Sequence, residues 1–189
     1  MGREFELKYK ASAAQQAAIF AKWEKWDEFS METTYFDTAE HTLSGKKCTL
    51  RCRLENGVAV CTLKTPISGF GRGEWDVESP WSEAAVTNLF AQASQPPVPF
   101  PQLLPICGAR FTRFARTVEL RECTVEIALD RGVLMGGNRE IPLCEVEVEL
   151  KSGSEAAAIA WAEQLALQHE LQPERSSKFR RASLLAKGE

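Results

Sequence analysis

The 189-residue sequence contains no CxxC pair, only 2 histidines and no apolar run of membrane-spanning length. Each absence removes a class of function. A transmembrane helix needs roughly 18 to 20 apolar residues in succession, so no membrane span is expected. His41 and His169 stand apart from each other and from any cysteine cluster, which excludes a zinc-finger type of site. The cysteines, at positions 48, 52, 61, 107, 123 and 144, follow no disulfide or metal spacing. No leader of basic, apolar and small residues precedes Glu4, so reduced thiols and a cytoplasmic location are expected. Strong charge of either sign is missing as well. A net charge of -3 gives no global attraction to nucleic acid or to an anionic membrane. Any anion binding must be local.

What is present is alternation. Glu4-Phe5-Glu6-Leu7-Lys8 places Glu4, Glu6 and Lys8 on one face of a strand and Phe5, Leu7 and Tyr9 on the other. The pattern returns at Arg51 and Arg53, at Glu74 and Asp76, at Glu126 and Asp130, and at Glu145, Glu147 and Glu149. Several strands therefore carry one charged face. Asn56-Gly57 between two alternating runs is a two-residue hairpin signal that also fixes the pairing. With that turn, Glu55 opposes Val58, Arg53 opposes Val60, Arg51 opposes Thr62 and Thr49 opposes Lys64. Arg51, Arg53 and Lys64 then share one face, while Cys48, Leu50, Cys52, Cys61 and Leu63 share the other. Such a cluster of like charges is either a solvated basic face or a site for an anion.

The remaining chain reads as one domain, residues 1–189. Ser12 caps a helix through Trp23, residues 31–37 form a strand, and Ser68 to Gly73 is a glycine-rich loop before the strand Glu74 to Glu78. A short helix over 82–94 ends before the proline run 95–101. Strands follow over 110–120, 123–131 and 143–151, the last two joined through Gly136-Gly137-Asn138. A helix over 154–168 and another from Ser176-Ser177 to Gly188 complete the chain. About eight antiparallel strands with apolar-striped helices predict an α+β fold, a closed eight-stranded barrel with helices packed outside. If the helices cover the apolar outside, the charged faces line the lumen.

Glu4-x-Glu6-x-Lys8, Tyr35-Phe36-Asp37-Thr38, Leu50-Arg51-Cys52-Arg53, Thr62-Leu63-Lys64, Glu126 to Asp130 and Glu145 to Glu149, ending in Ser177-Lys178, together resemble the CYTH family, the triphosphate tunnel metalloenzymes. That resemblance implies an eight-stranded antiparallel tunnel, a small-molecule triphosphate substrate and magnesium or manganese as cofactor. By position it implies Glu4, Glu6, Glu74, Asp130, Glu145 and Glu147 as metal-binding carboxylates. It implies Lys8, Arg51, Arg53, Lys64, Arg72, Arg113 and Lys178 as the triphosphate cradle. Glu4 and Lys8 would assist the attack of water. Glu126-Ile-Ala-Leu-Asp130-x-Gly132 and Arg72-Gly73-Glu74 are similar to the bacterial inorganic triphosphatase-like group, which implies hydrolysis of tripolyphosphate. Hydrolysis of thiamine triphosphate or a nucleoside triphosphate, formation of cyclic AMP, and polyphosphate binding without turnover are the alternatives. Phe5, Trp75, Ile127 and Val146 face away from the lumen, so a lining dominated by charge is expected.

Overall fold

The computed structural model describes residues 2–66 and 72–188, with the backbone alone for residues 2–4. Alternation makes the strands and the caps delimit the helices. In chain order the elements are β1 (Gly2–Glu4), β2 (Glu6–Lys10), α1 (Ala13–Phe20), β3 (Asp27–Asp37), α2 (Thr42–Gly45), β4 (Thr49–Glu55), β5 (Val58–Pro66) and β6 (Arg72–Glu78). Then come α3 (Glu83–Gln92), β7 (Leu104–Glu119), β8 (Cys123–Gly136), β9 (Arg139–Gly153), α4 (Glu155–Gln168), β10 (Gln172–Pro173) and α5 (Lys178–Lys187). Ser12, Ser82, Ser154 and Ser177 each accept a backbone N–H in the first turn of the helix that follows. Of the glycine-rich loop, residues 67–71 lie outside the described residues.

All the strands belong to one antiparallel sheet in the order β1-β6-β5-β4-β3-β7-β8-β9-β2-β10. The hairpin register is the one the Asn56-Gly57 turn dictates: Glu55 faces Val58, Arg53 faces Val60, Arg51 faces Thr62 and Thr49 faces Lys64. The expected closed eight-stranded barrel is not formed. Among the described residues the sheet has ten strands and is open, with β1 and β10 as its margins. The physical reason lies in the amino-terminal segment, which is shared between distant strands. β1 pairs with β6, and after Phe5 the chain passes to β9, with Glu6 to Lys10 facing Glu149 to Glu145. The other edge of β2 is taken by β10, and Glu174 donates its N–H to the Lys8 carbonyl at 2.8 Å. Because one residue separates segments that pair at remote positions of the sheet, the sheet curls around a hollow.

Two apolar layers cover its outside. On β2, β8 and β9, Tyr9, Val125, Ile127, Leu129, Val146 and Val148 pack against Ile19 of α1 and Ala158, Ala162 and Leu165 of α4. On β4 and β5, Leu50, Cys61 and Leu63 pack against Val86, Leu89 and Phe90 of α3. The helix α5 departs from the expectation. It lies on the inner face, where Ala182 joins Met31, Ala109, Phe111, Leu134 and Leu143 in a third cluster. Gly136 permits this approach, since a Cβ there would sit 2.3 Å from the Ala182 carbonyl oxygen and 2.5 Å from the Ala186 nitrogen. Among the described residues no helix is long and apolar enough to cross a membrane.

Candidate functional site

The hollow encloses about 470 Å³. One wall is basic, built by the Asn56-Gly57 hairpin and its neighbour: Arg51 and Arg53 on β4, Lys64 on β5 and Arg72 on β6 all line it. Glu74 stands between two of these cations, 3.4 Å from Arg51 and 3.2 Å from Lys64. Arg72 is steadied by the Lys47 carbonyl at 2.8 Å and the Thr49 hydroxyl at 3.1 Å. Arg53 pairs with Glu55 at 3.0 Å. The Nε groups of Arg51 and Arg53 are buried and find no hydrogen-bond partner among the described residues. Burial and the nearby Arg51 and Arg113 push the Arg53 guanidinium below its ordinary value. Among the described residues this wall sets four cations, Arg51, Arg53, Lys64 and Arg72, against three carboxylates, Glu55, Glu74 and Asp76.

The other wall belongs to β2, β8 and β9 and is rich in carboxylates. Lys8 lies 2.7 Å from Glu6 and 3.3 Å from Glu147, the residue it faces across the ladder. Arg113 grips Asp130 through two hydrogen bonds of 2.7 Å and also reaches Glu147. The Lys178 ammonium, from the first residue of α5, lies 2.6 Å from Asp130 and 2.8 Å from Glu147, and pairs with Glu145. Arg181 pairs with Glu145 from the next turn of the helix. Burial alone would raise the Glu147 carboxyl, but Lys178, Arg113 and Lys8 outweigh it and hold Glu147 well below the usual carboxylate range. At Glu145 burial wins over Lys178 and Arg181, and its carboxyl is raised. Lys8 loses by burial and gains more from Glu147 and Glu6, so its ammonium is held above its usual range.

A curled antiparallel sheet with a charged hollow, carrying these motifs in this order, has a family counterpart: the CYTH domain matches residues 2–183. The chain belongs to the CYTH family. A relative from Haemophilus influenzae, named an inorganic triphosphatase, is 32% identical over 197 aligned positions, which cover 98% of this chain and 55% of that protein. The chain thus spans about half the length of that relative. Among solved structures, a protein from Pyrococcus horikoshii OT3 superposes with a TM-score of 0.63 at 20% identity, covering 98% of this chain and 99% of that one. A candidate adenylyl cyclase from Hippeastrum, described as having a dominant triphosphatase activity, gives a TM-score of 0.65 at 13% identity, over 98% and 95% of the two chains. These two show the fold.

Of the residues that the CYTH resemblance singles out, Glu6, Lys8, Arg51, Arg53, Lys64, Arg72, Glu74, Arg113, Glu147 and Lys178 line the cavity. Asp130 and Glu145 are fully buried beneath it, under Lys178. Glu4 faces Arg72 through the backbone, and its side chain lies outside the described residues. The neighbouring Arg116, which is not among them, donates to the Lys25 carbonyl at 2.7 Å with its guanidinium over the Trp23 ring. Asp37, within the Tyr35-Phe36-Asp37-Thr38 motif, holds the start of α2 by accepting the N–H groups of Leu43 and Ser44.

Other participants escaped the sequence reading. Arg181 is one, hidden in a helix expected on the outside. Phe29, Met31, Tyr35, Ala115 and Phe179 also line the cavity and give it an apolar strip. The signal for Tyr35 was available, because it faces Arg51 and so shares its side of the sheet. Phe29 faces Arg113 from a part of β3 that begins four residues before the expected strand. The lining is therefore less exclusively charged than Phe5, Trp75, Ile127 and Val146 suggested. As to a cation, Asp130, Glu145 and Glu147 bring one carboxylate oxygen each within 4.8 Å of one another. Oxygen donors alone suit a hard divalent ion. The buried Glu145 Oε1 is ion-paired with Lys178. The residues fit such an ion.

Proposed function

We propose that this CYTH domain hydrolyses the terminal anhydride of a triphosphate with the help of magnesium or manganese, and that inorganic tripolyphosphate is its preferred substrate. The observation that carries this reading is the pair of buried, unpartnered guanidinium Nε groups of Arg51 and Arg53 on a wall that also bears Lys64 and Arg72. Guanidinium forks match phosphate oxygens, and a chain of phosphates offsets this wall's excess of cations. The relative named an inorganic triphosphatase supports the choice of substrate.

Glu4, Glu6, Glu74, Asp130, Glu145 and Glu147 would hold the divalent ion, which when bound neutralises charge on the phosphate oxygens. Arg51, Arg53, Lys64, Arg72, Arg113 and Lys178 orient the phosphates, and position is the larger part of phosphoryl transfer. Lys8 stays protonated, given its raised value, and so serves as a cation beside the reacting group while Glu4 orients the water. A second reading, hydrolysis of an organic triphosphate, is favoured by the strip of Phe29, Met31, Tyr35 and Phe179, which offers an apolar seat for a ring.

Kinetics with tripolyphosphate, ATP and thiamine triphosphate under matched magnesium and manganese test both readings. The expected result is orthophosphate release with the highest kcat/KM for tripolyphosphate. A higher kcat/KM for either organic compound selects the second reading, and cyclic AMP or no turnover rejects both.

A further inference from the structure

Three carboxylates surround one ammonium at the base of the cavity. Lys178 Nζ lies 2.6 Å from Asp130 and 2.8 Å from Glu147, in contact with Glu145, at the point on which the three carboxylates converge. We propose that Lys178 is an exchangeable occupant of this position: its ammonium fills it when no divalent cation is bound and turns into the cavity when one binds. The proposal rests on the reading that a divalent cation binds these carboxylates.

The surroundings are arranged so that Lys178 can leave at small cost. Asp130 and Glu147 keep Arg113 when it goes, and Glu145 keeps Arg181, so no carboxylate loses its last partner. The helix keeps its anchorage through Ala182 and through the Ser177 cap. Lys178 is the first residue of α5 and already lines the cavity, so reorienting the side chain does not require the helix to unpack. An ammonium and a divalent cation cannot share the position, because like charges at contact distance in a buried site repel strongly.

The exchange has a chemical consequence. With Lys178 in place, Lys178, Arg113 and Arg181 balance the three carboxylates. A divalent ion in its stead leaves the cluster positive and adds the released ammonium to the basic lining of the cavity. Cation binding would thereby raise the affinity for a polyanion, and by reciprocity the polyanion would raise the affinity for the cation.

The test uses Mn2+ alone, without any phosphate, and the whole chain. In the parent protein the apparent affinity for Mn2+ is reduced by the fraction of molecules in which Lys178 occupies the cluster, so Lys178→Met is expected to bind Mn2+ at least about tenfold more tightly by electron paramagnetic resonance. Arg180→Gln, on the exposed side of α5, is expected to bind as the parent does. A second measurement needs no variant. Acetylation of Lys178 by an amine-reactive ester, mapped by mass spectrometry, is expected to rise severalfold at saturating Mn2+, while that of the exposed Lys187 stays constant. Equal Mn2+ affinity in parent and Lys178→Met, or unchanged acetylation of Lys178, overturns the exchange and leaves the metal reading standing. If neither parent nor variant binds Mn2+, both readings fall together.

Discussion

Replacing Glu147 with glutamine preserves the side chain's shape and removes a charge that three cations share. Lys178 lies 2.8 Å away, Lys8 3.3 Å and Arg113 2.5 Å. At about 3 Å and an effective dielectric near 20, each contact is worth about 5 kcal/mol before desolvation is counted. Most of that is cancelled by the cost of burying the carboxylate. What the substitution exposes is the remainder, an excess of buried positive charge, and breaking a buried pair in this way costs about 3–5 kcal/mol. For a chain of this size, with roughly 2–4 °C lost per kcal/mol, the melting temperature should fall by about 10 °C. Scanning calorimetry in buffer free of divalent cations and phosphate measures it.

The control is Glu149→Gln. Its carboxylate is partly exposed and paired with Lys151 at 2.9 Å, so its loss should cost less than about 1 kcal/mol. The pH dependence has a definite sign. A carboxyl whose folded value is depressed contributes stability above its unfolded value and loses it only as pH falls through the folded one. Because Glu147 is held far down, the gap between parent and variant should be constant from neutrality to about pH 5 and close only in strong acid. A variant melting within about 2 °C of the parent at neutral pH would refute the reasoning.

Arg53→Met should do the reverse in the absence of anion, raising stability by about 1 kcal/mol and the melting temperature by about 2–4 °C, since it removes a buried cation pushed below its ordinary value by burial, Arg51 and Arg113. Titration calorimetry should show the same variant binding tripolyphosphate about tenfold more weakly; a lower melting temperature would make Arg53 structural. Gly136→Ala should drive a Cβ into the backbone of α5, cost about 1–3 kcal/mol and open the Arg180-Arg181 region to trypsin. Unchanged stability and cleavage would mean that α5 does not rest on that strand.

Much of the site was legible because strands report their faces directly. Asn56-Gly57 set the pairing of β4 with β5 to the residue, and from it the shared face of Arg51, Arg53 and Lys64. The Glu145, Glu147 and Glu149 alternation placed its acids on one side of β9, two of them facing Lys8 and Glu6 on β2. Helices are less informative about which surface they cover. Phe179, Ala182 and Leu185 would look the same against either face of the sheet, and α5 was accordingly expected outside. The clue to its inner position lies on its partner, in Gly136 of β8, where a Cβ would meet the Ala182 and Ala186 backbone. The open margin was equally hard to see. Gln172-Pro173 has none of the alternation of a strand, yet it occupies the edge of β2 that closure would require.

The division of the amino-terminal segment at Phe5 has a consequence for how the chain reaches its shape. Glu6 to Lys10, among the first residues made, pair with Glu145 to Glu149, most of a chain length later. Their contacts, with those of β10 on the other edge of β2, have the greatest loop-closure cost in the sheet, and such pairings come late and slow the whole process. Until β9 exists, β2 has no strand to pair with, since its other neighbour, β10, comes later still. The strand that carries Glu6 and Lys8 is thus the seam of the molecule, and the cavity acquires its two walls only when that seam is sewn.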